Sequence, residues 1–167
     1  MVPDNPPSPW ITRFSAQADG PVLDVACGSG RHTRLFLEVG HNVTAVDRDT
    51  SRLADIAGHP KLTILETDLE AGDDPWRPAP AAYGAVVVTN YLWRPLLPAL
   101  IDAVAPGGML LYETFALGNE QFGKPSNPDF LLAPGELKDA VAGMLEVAAC
   151  EDGEVSTPRP AVIQRIC

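Results

Sequence analysis

Val22-Leu-Asp-Val-Ala-Cys-Gly-Ser-Gly30 and, beyond a helix-length spacer, Val43-Thr-Ala-Val-Asp47 decide how this chain folds. The first apolar run does not alternate with polar residues, which predicts a strand buried on both faces of a parallel sheet. It ends in a turn bracketed by Gly28 and Gly30. The spacer Arg31–Val39 suits a helix, and Gly40 can close it in a left-handed conformation. The second run closes on the carboxylate of Asp47. Strand, glycine turn, helix and acid-tipped strand together build a site for a nucleoside-bearing cofactor.

Working outward, Trp10, Ile11 and Phe14 recur at helical spacing within Ser8–Ala18, behind a proline-rich stretch 1–9 read as a flexible tail. Thr50 or Ser51 is placed to cap a second helix carrying Leu53, Ile56 and Ala57, with Gly58 after it. Lys61–Thr67 and Ala85–Thr89 read as strands, with a proline-bearing loop between them. Pro95 can open a helix through Val104, which Pro106-Gly107-Gly108 breaks before a fifth strand, Met109–Thr114. A long Gly-, Pro- and Asn-rich segment, 115–131, precedes a helix from Pro134 to about Gly143. Leu145–Cys150 and Ala161–Ile166 then read as an antiparallel pair. The expected fold is a single α/β domain over 1–167, a doubly wound, mostly parallel seven-stranded sheet with an antiparallel last strand and helices on both faces.

The composition narrows the partners. Twelve basic and 22 acidic residues give a net charge of −10, a field that repels nucleic acid and anionic lipid. The one hint of a basic patch, Arg31, His32 and Arg34, is thin. No apolar stretch is long enough to span a bilayer, and the N-terminus lacks a signal peptide's pattern. The three cysteines, Cys27, Cys150 and Cys167, are odd in number and form no Cys-x-x-Cys pair, so no metal site is expected. These features point to a cytoplasmic protein, monomer or homodimer, that handles a small molecule.

The glycine turn admits three cofactor classes. A mononucleotide P-loop needs a Lys-Ser/Thr that is missing. A dinucleotide fingerprint needs a third glycine where Thr33 stands. Asp24 discriminates further, because a carboxylate in an apolar strand requires a partner. A pyrophosphate would be repelled there. S-adenosylmethionine, with its ammonium and sulfonium, would be attracted.

These residues resemble the motifs of class I S-adenosylmethionine-dependent methyltransferases. Asp24-Val-Ala-Cys27-Gly28-Ser-Gly30 looks like their first motif, with Ala26 where many members have glycine. Asp47 matches the acid that holds the ribose hydroxyls, with Arg48 beside the adenine. Thr67-Asp68-Leu69 is similar to the adenine-contacting motif, and Thr89-Asn90-Tyr91 stands where members contact the methionine moiety. Pro106-Gly107-Gly108 and the final hairpin also resemble the family. The shorter bacterial members, including tellurite-resistance-type methyltransferases, are nearest in length. The resemblance implies S-adenosylmethionine as methyl donor and S-adenosylhomocysteine as product.

The acceptor side is less defined. Tyr91 and Trp93 could line the methyl-transfer centre, although core packing suits Trp93 equally. Tyr112, Glu113 and Phe115 close strand five. Tyr91 and Glu113 are weak candidates for catalysis, Glu113 by binding or deprotonating an acceptor. His32 would serve poorly as a base if it points outward. Phe122 and Phe130 offer apolar contacts if 115–131 is a lid. The motifs of base, DNA and glutamine methyltransferases are missing, which favours a small-molecule acceptor. The alternatives are a nicotinamide-dependent oxidoreductase and a cofactor-binding, non-catalytic partner of a larger methyltransferase.

Overall fold

The structure, a computed structural model, describes residues 5–167. Its elements are α1 (Pro9–Ser15), β1 (Val22–Val25), α2 (Arg31–Val39), β2 (Val43–Asp47), β3 (Leu62–Glu66), β4 (Tyr83–Thr89), α3 (Leu97–Asp102), β5 (Val104–Phe115), α4 (Glu136–Val141), β6 (Cys150–Val155) and β7 (Ala161–Ile166). They form one seven-stranded sheet in the order β3-β2-β1-β4-β5-β7-β6. β1 to β5 pair in parallel, and β7 runs antiparallel to both β5 and β6. The strand order reverses between β1 and β4, so the ends of β1, β2, β4 and β5 converge on one edge, where open α/β sheets bind ligands.

Strand alternation sorts the core into two layers. Val22, Val43, Ala85, Val87 and Leu111 meet Trp10, Ile11 and Phe14 of α1 and Phe36 and Leu37 of α2. Leu23, Val25, Val86, Val88, Leu110 and Tyr112 meet Leu97, Leu100 and Ile101 of α3 and Leu137 and Val141 of α4. β1 is buried at every position, as its unbroken apolar run predicts. Burying a side chain such as Phe36 contributes about 2–3 kcal/mol.

Several boundaries differ from the sequence expectation for physical reasons. Of the expected tail, residues 1–4 lie outside the described residues, and Asn5–Ser8 adopts no regular structure. Ser8 is nevertheless buried, and its hydroxyl accepts from Trp10 N–H at 3.1 Å, capping the helix that Pro9 opens. The helix expected after Thr50 is only a 3-10 turn, Ser51–Leu53. The Thr50 N–H and hydroxyl both donate to Glu66, which removes that side chain as a cap. Leu53 still packs with Cys27 and Ala45, so the stretch covers the sheet without being helical. Pro106-Gly107-Gly108 lies inside β5 as a register shift between Tyr83↔Val104 and Ala85↔Met109 rather than ahead of the strand. β6 begins where Leu145–Cys150 was expected to end; it is a polar edge strand with no apolar signature.

Candidate active site

The glycine turn is built from left-handed backbone. Ala26, at the end of β1, has φ 53°, Gly28 φ 55° and Gly30 φ 75°. Gly30 is also the N-cap of α2, and a Cβ there would fall 2.3 Å from Leu53 Cδ2, so this glycine serves packing as well as turning. A Cβ on Gly28 would meet nothing within 4 Å, which leaves open space over that backbone. Cys27 donates its N–H to Val46 O, while its side chain packs with Ala45 and Leu53 and burial raises its thiol pKa. The turn is tied to β2 by Asp47, whose Oδ2 accepts from Gly28 N–H at 2.8 Å and whose Oδ1 accepts from Asp49 N–H at 3.1 Å.

Beside this turn lies a cleft of about 490 Å³ lined by Ala26, Asp47, Arg48, Asp68, Leu69, Glu70, Asn90 and Tyr91. Four elements contribute: the ends of β1, β2 and β4 and the turn after β3. Asp68 Oδ1 accepts from Glu70 N–H, shaping that turn. Asn90 has φ 54° and donates its N–H to Glu113 O, so a strained residue is held where β4 leaves the sheet. The Tyr112 hydroxyl donates to Tyr91 O at 2.7 Å from beneath. Tyr91 in turn donates its hydroxyl to Glu70 Oε1 at 2.9 Å. Burial, with Glu70 beside it, pushes the Tyr91 phenol well above its ordinary range.

A second, smaller pocket of about 240 Å³ adjoins the first through Glu70, Asn90 and Tyr91. Leu92, Thr114, Phe115, Pro125 and Phe130 complete it. The segment 115–131 expected as a lid is folded against the sheet. Leu117 and Leu132 N–H donate to Leu132 O and Phe115 O, and Asn119 donates to Pro125 O and accepts from Val162 N–H. Arg94 fastens its far end, donating to Asp129 O, Leu131 O and both oxygens of Glu136.

Asp24, Thr89 and Glu113 sit off the cleft, because the pleat turns them toward the face of the sheet that α1 and α2 cover. Asp24, 2% exposed, accepts from the Thr33 hydroxyl at 2.6 Å. Burial raises its pKa to about 6, against the pull of the Thr33 hydroxyl and N–H. Thr33, noted only for not being glycine, is thus a partner within the protein for the carboxylate that the sequence reading paired with a cationic ligand. Thr89 and Glu113, paired across β4 and β5, face the same side. Thr89 Oγ1 lies 3.4 Å from His32 Nδ1. Glu113 accepts from the Ser8 hydroxyl at 2.8 Å and from Arg165 at 3.2 Å, so both oxygens are engaged. His32 points inward, 2% exposed, and its Nε2 accepts from Ser8 N–H. Burial and the neighbouring Arg31 push its pKa down to about 3. That ring is neutral with its Nε2 lone pair occupied, which removes it as a base. Trp93 packs on the core near Arg77. Phe130 lines the second pocket, whereas Phe122 is exposed. Sequence reasoning missed Ser8, Glu70 and Arg94; only Glu70, adjoining Asp68-Leu69, carried a local signal.

Comparisons with known proteins agree with this architecture. Residues 22–108, just over half the chain, match the family described as "Methyltransferase domain". A malonyl-(acyl-carrier protein) O-methyltransferase from Serratia marcescens is 32% identical over 109 residues, covering 60% of this chain and 40% of that protein. This chain therefore matches well under half the length of that relative. An S-adenosylmethionine-dependent methyltransferase from Mesorhizobium loti superposes with a TM-score of 0.70 at 14% identity, over 93% of this chain and 94% of the other. The 1,6-didemethyltoxoflavin-N1-methyltransferase of Burkholderia thailandensis, solved with bound 1,6-didemethyltoxoflavin and S-adenosylhomocysteine, gives 0.68 at 18% identity over 93% and 76%. At these identities the superpositions establish the fold.

Proposed function

The chain belongs to the methyltransferase-domain family, and from that premise we propose that it transfers a methyl group from S-adenosylmethionine to a small-molecule acceptor. The observation that carries this reading is the junction of Asp47 with the glycine turn: a carboxylate at the tip of β2 faces the cleft while its oxygens fix Gly28 and Asp49. Each carboxylate oxygen has a second lone pair, so the ribose hydroxyls can donate to Asp47 without undoing these bonds. Asp68, Leu69 and Arg48 line the cleft where they would surround the adenine, and the open backbone at Gly28 would admit the amino-acid end. Asp24 and Cys27 act from below the turn, the first through its buried charge and the second through its backbone. Asn90 and Tyr91 close the cleft toward the acceptor, with Thr89 behind them.

When bound, the cofactor supplies an electrophilic methyl on a sulfonium that is already a good leaving group. The protein's share is alignment and exclusion of water, and a general base is required only for weakly nucleophilic acceptors. Glu113 and His32 are engaged by Ser8, so neither is cast as that base. The acidic surface and three free cysteines fit a cytoplasmic enzyme working as a monomer or homodimer; among the described residues no helix is long and apolar enough to cross a membrane. Thermal shift tests the reading: S-adenosylhomocysteine should stabilise the protein and NADH should not. Stabilisation by NADH alone would replace it with the oxidoreductase alternative.

A further inference from the structure

We propose that the pocket beside the cofactor cleft is the acceptor site, and that it selects a flat one- or two-ring molecule whose O–H or N–H donates to Glu70. The inference rests on the methyltransferase reading and concerns the half of the site that the family motifs leave open. Three features of the pocket carry it.

The first is size and walls. At about 240 Å³ the pocket lies below the ~300–1,000 Å³ of sites for drug-sized ligands, which limits an enclosed core to one or two rings. Leu92, Phe115, Pro125 and Phe130 are apolar, and two of them are aromatic. Such walls favour a ring that can stack or pack edge-on. Phe130 is half exposed, so it can lie along a ring that enters from the mouth.

The second is the polar edge. The pocket meets the cofactor cleft at Glu70, Asn90 and Tyr91, where the methyl must cross. The Tyr91 hydroxyl engages Glu70 Oε1, and among the described residues none hydrogen-bonds Oε2. The pocket thus ends, on the side nearest the donor, in a carboxylate held by a tyrosine and able to accept a hydrogen.

The third is charge. Among the described residues lining the pocket there is no Lys, Arg or His. Arg159 comes near, 5.7 Å from the Phe115 ring, but is not part of the lining and donates to Lys124 O. A carboxylate acceptor would therefore face Glu70 without a counter-ion and be repelled. A phenolic, enolic or heteroaromatic N–H acceptor would be drawn to the same group. Glu70 is accordingly a specificity-determining residue.

Isothermal titration of the full chain saturated with S-adenosylhomocysteine tests this, using 2-naphthol, 2-methoxynaphthalene and monomethyl malonate as probes. The naphthol should bind at least about tenfold more tightly than its ether, the ring being equal and only the donor hydrogen differing. Glu70→Leu should erase that preference, and Phe130→Ala should weaken both naphthalenes alike while leaving S-adenosylhomocysteine affinity unchanged. Preferential binding of monomethyl malonate would overturn the proposal. So would a naphthol preference that survives Glu70→Leu, or no naphthalene binding by protein that binds S-adenosylhomocysteine. Loss of S-adenosylhomocysteine binding in the unaltered chain is a separate outcome; it overturns the methyltransferase reading and this inference with it.

Discussion

Replacing Asp24 with Asn should stabilise the protein at pH 8 and lose that advantage in acid. Burial raises the Asp24 carboxyl from 3.8 to about 6 even after the Thr33 hydrogen bonds are counted. At 1.36 kcal/mol per pKa unit, the ionised form costs about 3 kcal/mol relative to the protonated form. Asn keeps the shape without the charge, and the Thr33 hydroxyl can turn to accept from the amide. An amide hydrogen left without a partner gives back about 1–2 kcal/mol. The net gain at pH 8 is then about 1–2 kcal/mol.

The sign reverses with pH. Between about pH 4 and 6 the folded chain keeps the Asp24 proton while the unfolded chain releases it, so this group's contribution falls as pH rises through the window. His32 works oppositely: its folded pKa of about 3 lies below its ordinary 6.5, so its contribution is present above pH 6.5 and is lost as pH falls toward 3. In the wild type the two slopes oppose each other near pH 5. In Asp24→Asn only the His32 slope remains, so the variant should lose stability on acidification more steeply than the wild type. Urea unfolding at pH 8, 6 and 4.5 reads this as a change of midpoint at constant m-value. A variant less stable than wild type at pH 8, or a difference independent of pH, would refute the burial argument.

Three further substitutions test the turn and the pocket wall. Ala26→Gly exchanges a left-handed alanine, costing about 1–2 kcal/mol, for glycine's extra chain entropy of about 0.4–1 kcal/mol, so urea unfolding should show a gain of up to about 1.6 kcal/mol. Gly30→Ala combines positive φ with a Cβ 2.3 Å from buried Leu53 and should cost about 2–4 kcal/mol by the same assay. Arg94→Met removes the bonds to Asp129 O, Leu131 O and Glu136; it should cost about 1–2 kcal/mol and raise amide hydrogen exchange across 127–132, with the core strands unchanged.

The parallel core was legible because β1, β2 and β4 are apolar runs, the first ending at a glycine turn, the second at Asp47 and the third at Thr89-Asn90, and burial on both faces leaves no other pattern. β6 was misplaced because an edge strand with most of its residues exposed has no apolar periodicity to read. The turn at Ser51 looked like a helix start because capping chemistry is local, whereas the Glu66 that claims Thr50 arrives from a neighbouring strand. In the site, Asp47, Asp68 and Tyr91 could be placed from strand ends alone. The partners of Asp24 and Glu113 could not, since Thr33 and Ser8 meet them only after α2 and the N-terminal segment pack on the sheet. Arg94 likewise joins residues far apart in sequence, and nothing near it signals Glu136.

The central claim, that the Asp47-anchored cleft holds a methyl donor, is tested most directly by titrating S-adenosylhomocysteine into the wild type and Asp47→Ala while circular dichroism follows the fold. The wild type should bind, and the variant should lose measurable binding while keeping a native spectrum. Undiminished affinity in a folded Asp47→Ala protein would contradict the account.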